Sequence, residues 1–336
     1  MPKKVSIKDV AKAAGVSIST VSNALNGVDV VTDKTRSKVL AIAKELNYVP
    51  NYMGRQLKSG KTKMIGFYTK SIDPPYFSTV ADTLARELSQ RGYGLNIMMS
   101  HHKEDIIRQI LGGTIDGLIG FDEILNRHDI ARIEKSGLKT VLMDRQLSAP
   151  NISSVIFDSV SMGMEVTEYL IFNGHKKIGF IKGFDGVYDS DCRVAGFMES
   201  MKKNQLNVNR QWIYEGGFIE EHTYDATKEW LIKVPELPTA LIAGNDSSAI
   251  GALRAFKELG INVPNDISLI GFDDIPLLNY IHPKLTTYHL PIIEQGKVAV
   301  AQLFDMLENN QQGTIIELGG HLVLRDSVKN LKEVLE

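Results

Sequence analysis

The chain of 336 residues is 43% hydrophobic and 23% charged, with a net charge of −2. That length calls for two or three domains around a large buried core, and the composition excludes global disorder. No apolar run approaches the roughly 18 residues of a membrane span, no apolar core follows Met1-Pro2-Lys3-Lys4, and Cys192 is the only cysteine. The sequence thus predicts a cytoplasmic protein with no membrane span, secretory signal, internal disulfide or cysteine-rich zinc site.

The charge is unevenly placed. Residues 1–63 hold 12 Lys/Arg against 4 Asp/Glu, and the remaining 273 hold 26 against 36. A basic head on an acidic body fits either a polyanion-binding head or a solvated basic terminus.

Ser6-Ile7-Lys8-Asp9 reads as a capped helix start, followed by Ile7, Val10, Ala11 and Ala14 at helical spacing. Gly15 stops that helix. Ser17 caps a second, Ile18 to Leu25, with Val21, Ala24 and Leu25 inward and Ile18, Ser19, Thr20, Ser22 and Asn23 outward. Thr32-Asp33-Lys34 opens a third, with Val39, Leu40, Ile42, Ala43 and Leu46 inward, and Asn47-Tyr48-Val49-Pro50 ends it. This pattern fits a helix-turn-helix or a plain three-helix bundle. The small polar outer face of the second helix is what entry into a major groove requires. Pro50 to Lys58 reads as a short separate helix, weakened by Gly54 in its interior.

Beyond residue 63 come short apolar runs with helical segments between them. The predicted strands are Met64–Tyr68, Gly94–Met99, Asp116–Phe121, Lys139–Met143, Val155–Asp158, Lys177–Ile181, Ala240–Ala243 and Ile267–Gly271. Predicted helices include Phe77–Gln90, Met162–Asn173, Arg193–Asn204, Tyr224–Ile232, Ser247–Leu259 and Ile293–Leu307. Unalternating apolar strands between helices indicate parallel sheets covered on both faces, a doubly wound α/β body. Dinucleotide, phosphate-loop and nucleophile-elbow signatures are absent, which argues against an enzyme. His101-His102 lacks a third ligand at metal spacing and reads as a surface loop; no cofactor is predicted.

Acidic and amide residues do recur just past strand ends: Asp144, Asp158, Asn245-Asp246 and Asp273-Asp274. Ligands of open α/β sheets bind beyond the carboxyl ends of strands. Each of these residues is either a helix cap or an acceptor for a polyhydroxylated ligand, and Asp246 is a candidate for a purely structural role.

The motifs Ile7-Lys8-Asp9-Val10-Ala11, Ala14-Gly15-Val16-Ser17, Thr20-Val21-Ser22, Ala24-Leu25-Asn26 and Leu46-Asn47-Tyr48-Val49-Pro50-Asn51 resemble the head of the lactose/galactose repressor (LacI/GalR) family. Gly174-His175-Lys176-Lys177-Ile178, Arg193-Val194-Ala195-Gly196-Phe197, Val263-Pro264-Asn265-Asp266-Ile267-Ser268 and Gly271-Phe272-Asp273-Asp274 extend the resemblance through the body. It implies an all-α helix-turn-helix head over residues 1–48, a hinge helix and linker over 49–63, and a periplasmic-binding-protein-like body of two doubly wound subdomains over 64–330. Crossovers between the subdomains are expected near 159–162, 289–293 and 322–325.

The implied function is an effector-controlled, sequence-specific DNA-binding regulator, a repressor of carbohydrate-use genes. Alternatives are a nucleobase-responsive member of the family or a sugar receptor without DNA binding. Ile18, Ser19 and Asn23 would face base edges, and Leu57 would wedge between base pairs. Lys8, Ser17, Thr20, Ser22 and Lys58 would meet the phosphate backbone. Phe77, Asp144, Arg193, Phe218, Asn245 and Asp273 would line the effector cleft, with Asp158 close to it. Val187 stands where purine-responsive members place an Arg, and Asp189 adds an acceptor near Arg193; both favour a sugar. A pseudo-palindromic operator implies a homodimer, with the helices beginning near Phe77 and Met162–Leu170 as candidate dimer surfaces.

Overall fold

The computed structural model describes residues 5–49, 60–69, 71–72, 74–100, 102–121 and 125–332. It divides into two compact units, Met1–Thr62 and Lys63–Glu336. The predicted hinge helix, with Leu57 and Lys58, lies outside the described residues.

The first unit is three helices, α1 (Ile7–Ala14), α2 (Ile18–Leu25) and α3 (Asp33–Glu45). At the start of α1 the Ser6 main-chain N–H and hydroxyl both donate to Asp9 Oδ2, at 2.9 and 2.7 Å. Gly15 then adopts φ 65°, and its N–H returns to the last carbonyls of α1. Ser17 Oγ accepts from Thr20 N at 3.1 Å and so starts α2. Small apolar side chains fill the core: Val10, Ala11, Ala14, Val21, Ala24, Val31, Val39 and Ala43. Leu40, expected inward, is 47% exposed. It follows Val39 by one position, about 100° around the helix, so the two cannot share one face.

The second unit holds two six-stranded sheets. The first runs β11-β5-β4-β3-β1-β2, from β1 (Met64–Tyr68), β2 (Gly94–Met98), β3 (Gly117–Gly120), β4 (Lys139–Leu142), β5 (Ile152–Phe157) and β11 (Ile315–Leu318). The second runs β12-β10-β9-β8-β6-β7, from β6 (Ile178–Lys182), β7 (Ile213–Glu215), β8 (Ala240–Ala243), β9 (Ser268–Asp273), β10 (Thr286–His289) and β12 (His321–Val323). All pairings among these strands are parallel except β10 with β12.

Among the described residues, eight α-helices accompany these strands: α4 (Pro75–Gln90), α5 (Lys103–Leu111), α6 (Arg127–Ser136), α7 (Ser159–Phe172), α8 (Tyr188–Lys203), α9 (Glu220–Lys233), α10 (Asp246–Glu258) and α11 (Ile292–Glu308). The chain leaves the first sheet after β5, returns from β10 through α11, and leaves again between β11 and β12.

The sequence reading missed β7, β10, β11 and β12. β7 and β12 have three residues each, β10 begins Thr-Thr, and β11 sits half-exposed at an edge. None forms the apolar run that marks a doubly covered strand. β5 also starts three residues earlier than expected, because two serines are buried in it. Ser153 Oγ accepts from Gln302 Nε2 at 2.9 Å and Ser154 Oγ donates to Leu147 O at 2.6 Å. A second correction concerns assembly. Met162, Val166 and Leu170 are fully buried in the body's own core. That face of α7 is occupied by the fold itself and cannot be a dimer surface.

α7 and α8 pack together through glycines. A Cβ at Gly196 would lie 2.0 Å from Val160 O, and one at Gly163 would lie 2.2 Å from Arg193 O. Gly196→Ala should therefore push the two helices apart and lower stability by about 1–3 kcal/mol, the usual cost of overpacking. Urea unfolding of the variant checks this.

Candidate functional site

Two places gather the residues singled out by the sequence. The first is the outer face of α2. Ile18 is 45% exposed there, Ser17 and Ser19 are exposed, and Thr20, Ser22 and Asn23 are half-buried. The Ser17 hydroxyl lies 2.7 Å from that of Ser19 and 2.8 Å from that of Thr20 across the first turn. Lys8 is exposed on α1. No acidic residue lies in either turn of α2, so nothing there repels phosphate.

The second place is a cavity between the two sheets. The walls come from strand carboxyl ends, the loops after them and the first two turns of helices, as the doubly wound connection dictates. From the first sheet's side come Pro74, Tyr76 and Phe77 at the head of α4, Phe121 after β3, Asp144 after β4 and Phe157 at the end of β5. From the second come Val187, Asp189 and Arg193 around the start of α8, Phe218 before α9, Asn245 after β8, Asp273 ending β9, and Leu290 after β10.

Seven of the eight residues assigned to the effector site meet here: Phe77, Asp144, Asp189, Arg193, Phe218, Asn245 and Asp273. Asp158 does not. Its carboxylate accepts from Ser161 N at 3.1 Å and caps α7. Phe121, Phe157 and Leu290 were missed because an apolar residue at a strand end carries no sequence mark that separates wall from core, and Tyr76 because an aromatic residue in a first helical turn carries none either.

Arg193 is 4% exposed. Its Nη1 donates to Gly244 O at 2.5 Å, and its guanidinium sits 4.7 Å from the Phe272 ring centre. Nε has no partner among the described residues. Asp189 accepts from the Ser159 hydroxyl at 2.6 Å. Phe218 adopts φ 61°, and its ring occupies the space beside Gly183 and Gly244 where side chains would otherwise stand. A non-glycine residue held at positive φ marks a constrained position. Tyr76, Phe77 and Phe121 form an edge-to-face group with ring centres 4.9–5.7 Å apart.

Asn245 has two duties. Its Oδ1 caps α10 through Ser248 N at 2.8 Å, and its Nδ2 donates to Phe218 O at 3.2 Å. Asp246 is fully buried and structural. It accepts from the Thr287 hydroxyl at 2.7 Å and from Ile275 N at 3.0 Å. Asp274 turns away and accepts from Arg325 at 2.6 Å. Asp273 stays in the cavity at φ 108°.

Burial pushes the Asp273 carboxyl up to about 7; Arg193 opposes that rise and Asp189 adds to it. Burial, then repulsion from Asp273, also holds Asp246 well above the usual carboxylate range. The cavity thus presents three carboxylates and one guanidinium against a ring of aromatic faces. It suits a ligand rich in hydroxyl donors with an apolar side and disfavours an anion. Among the described residues, no group of three or more His, Cys, Asp or Glu could hold a metal ion.

A carboxyl raised in the folded state binds more protons than the unfolded chain does between about pH 4 and 7. Stability therefore falls as pH rises through that window, by at most about 1.4 kcal/mol per pH unit for this group. Asp273→Asn keeps the shape and removes the charge. The variant should unfold at a temperature less sensitive to pH across pH 4–7 and gain relative to the parent at the upper end.

Residues 6–51 match the family described as bacterial regulatory proteins, lacI family, and residues 167–328 match the periplasmic binding protein-like domain. The HTH-type transcriptional repressor PurR of Photobacterium profundum is 33% identical over 331 residues, covering 97% of this chain and 99% of the relative. The repressor of the same name from Proteus mirabilis is 35% identical, covering 96% of each. Among solved structures, the Lac repressor dimer bound to operator and the anti-inducer ONPF is 27% identical with a TM-score of 0.83, covering 97% of this chain and 100% of the other. A complex of the transcriptional regulator CelR with cellobiose is 25% identical with a TM-score of 0.72, covering 96% and 100%.

Proposed function

The chain belongs to the lacI family of bacterial regulatory proteins and is a DNA-binding transcriptional repressor; from that premise we propose that a small neutral polyhydroxylated ligand, a sugar, controls it from the cleft. The observation that carries this reading is the excess of acceptors in the cavity. Asp144, Asp189 and Asp273 face one cation, Arg193, among aromatic walls. Hydroxyl protons suit the carboxylates, ring oxygens suit the free Arg193 Nε, and the Phe faces suit the apolar side of a sugar.

A second reading, a nucleobase effector, draws on the relatives named PurR. Against it stands Val187, whose side chain lines the cavity and can donate no hydrogen bond to a base carbonyl.

The control is a population shift. A ligand touching both halves of the cleft favours one angle between them, and that preference alters DNA affinity by the ligand's differential binding to the two states. The protein acts in the cytoplasm as a homodimer, because one small head buries too little surface for specificity and two heads read a near-palindrome. In α2, Asn23, Ser19 and Ile18 read bases, while Lys8 and the hydroxyls of Ser17, Thr20 and Ser22 hold phosphates.

The experiment is a fluorescence-anisotropy titration of the full chain against DNA from the gene's upstream region. It is run at two salt concentrations, with and without panels of sugars and nucleobases. A sugar that shifts a tight, salt-dependent curve supports the proposal, and a shift by nucleobases alone overturns its effector. Asn23→Ala should cost about 1–3 kcal/mol and relax specificity at one base position. Lys8→Ala should weaken all sequences alike and reduce the salt slope by about one. Arg193→Ala should cost the effector about 1.5–3 kcal/mol by calorimetry.

A further inference from the structure

Gln295 lies in the first turn of α11, directly after the chain returns from β10, and is fully buried. Its neighbours inward along α11 are core residues: Ile292, Ala299, Val300 and Leu303. A buried amide is costly at such a position unless every polar atom is paired.

Here the pairing is complete. Gln295 Oε1 accepts from the Tyr76 hydroxyl at 2.7 Å. Gln295 Nε2 donates to Val155 O at 2.9 Å and to Met143 O at 3.3 Å. Met143 directly precedes Asp144, which lines the cavity, as does Tyr76 itself. The amide therefore joins two pieces of the cavity wall to the start of the helix that follows a crossover.

The direction of the bond matters. Burial first, then the carboxylates of Asp189, Asp144 and Asp273, hold the Tyr76 phenol well above its ordinary pKa, so it keeps its proton. That proton is donated to Gln295. The phenol oxygen is left with lone pairs only, and its surroundings in the cavity are already acceptors.

We propose that Gln295 is a positioning residue for effector recognition: by accepting the Tyr76 hydroxyl's hydrogen bond it makes the phenol oxygen a pure acceptor toward the cavity and so selects ligands that present hydroxyl donors. This rests on the effector reading given above. An apolar residue in its place would free the phenol proton and leave the Met143 and Val155 carbonyls without that donor.

The test uses the full chain, with calorimetric titrations of cellobiose, D-ribose and D-glucose. Gln295→Met is expected to weaken the parent's best sugar by roughly tenfold, the upper range for one net hydrogen bond. Tyr76→Phe should weaken it by a similar factor, and the double variant should be no worse than either single, since the two groups act as one pair. Gln302→Met is the control. Gln302 is also buried in α11 but donates to Ser153, away from the cavity. It should lower the unfolding temperature and leave the sugar Kd within about twofold. An unchanged Kd in Gln295→Met, or an equal loss in Gln302→Met, overturns the inference while the sugar reading stands. A parent that binds none of the three sugars overturns both.

Discussion

Arg193 carries a permanent positive charge into a site that is 4% exposed. A buried guanidinium must be compensated by opposite charge, hydrogen bonds or aromatic faces, or the fold loses several kcal/mol. Much of the second unit can be read as that compensation. The Gly244 carbonyl takes one hydrogen bond, the Phe272 ring covers the cation, and Asp273 and Asp189 supply negative charge. To bring the guanidinium there, α8 must press against α7 more closely than a methyl group permits, and Gly163 and Gly196 make that possible. The helix-packing contact and the binding chemistry are therefore one constraint.

The carboxylates overcompensate, and that excess gives the cavity its character. Asp273 ends β9 at positive φ and accepts no side-chain hydrogen bond among the described residues, unlike its neighbours. Asp246 and Asp274 are both satisfied by protein donors. Of three adjacent acids in space, two are consumed by structure and one is kept for a ligand. Asn245 also serves twice, capping α10 and bracing Phe218 while still lining the cavity. A wall held by main-chain hydrogen bonds on both sides stays in place before a ligand arrives, which lowers the ordering cost of binding.

The head obeys a different logic. Its core is almost wholly Val and Ala, so its helices approach closely but bury little area each. Caps contribute much of the local definition: the Ser6 and Asp9 reciprocal bonds, the Gly15 turn and the Ser17 hydroxyl. Such caps are each worth about 0.5–2 kcal/mol, a large share for so small a unit. They also set the first turn of α2, on which Ile18 and Ser19 are exposed.

In the sequence, the three head helices, eight of the twelve described strands and most of the cleft residues were legible. Local signals specify the elements and the polar cleft residues, through capping residues at fixed offsets, helical spacing, unbroken apolar runs and polar residues just past strand ends; Phe77, Arg193 and Phe218 came only from the family resemblance. Edge strands β7, β11 and β12 left no such signal, because a half-exposed edge tolerates any residue type. Local sequence alone does not separate Asp158 from Asp273; only the family resemblance set one beside the cleft and the other in it. Both stand at the end of an apolar strand, yet Asp158 caps a helix and Asp273, at φ 108°, lines the cavity. The helix over Met162–Leu170 was a candidate dimer surface, and the fold turns its Met162, Val166 and Leu170 into the body's own core. Gln295 is the sharpest case. Nothing in its neighbours along the chain marks it, since its partners lie 140–219 positions away in sequence. Sequence settles what each segment does alone, because caps and periodicity act within a turn or a strand. Which acids, amides and aromatic rings meet was decided by tertiary structure, because hydrogen bonds act over about 3 Å wherever the fold brings their partners together.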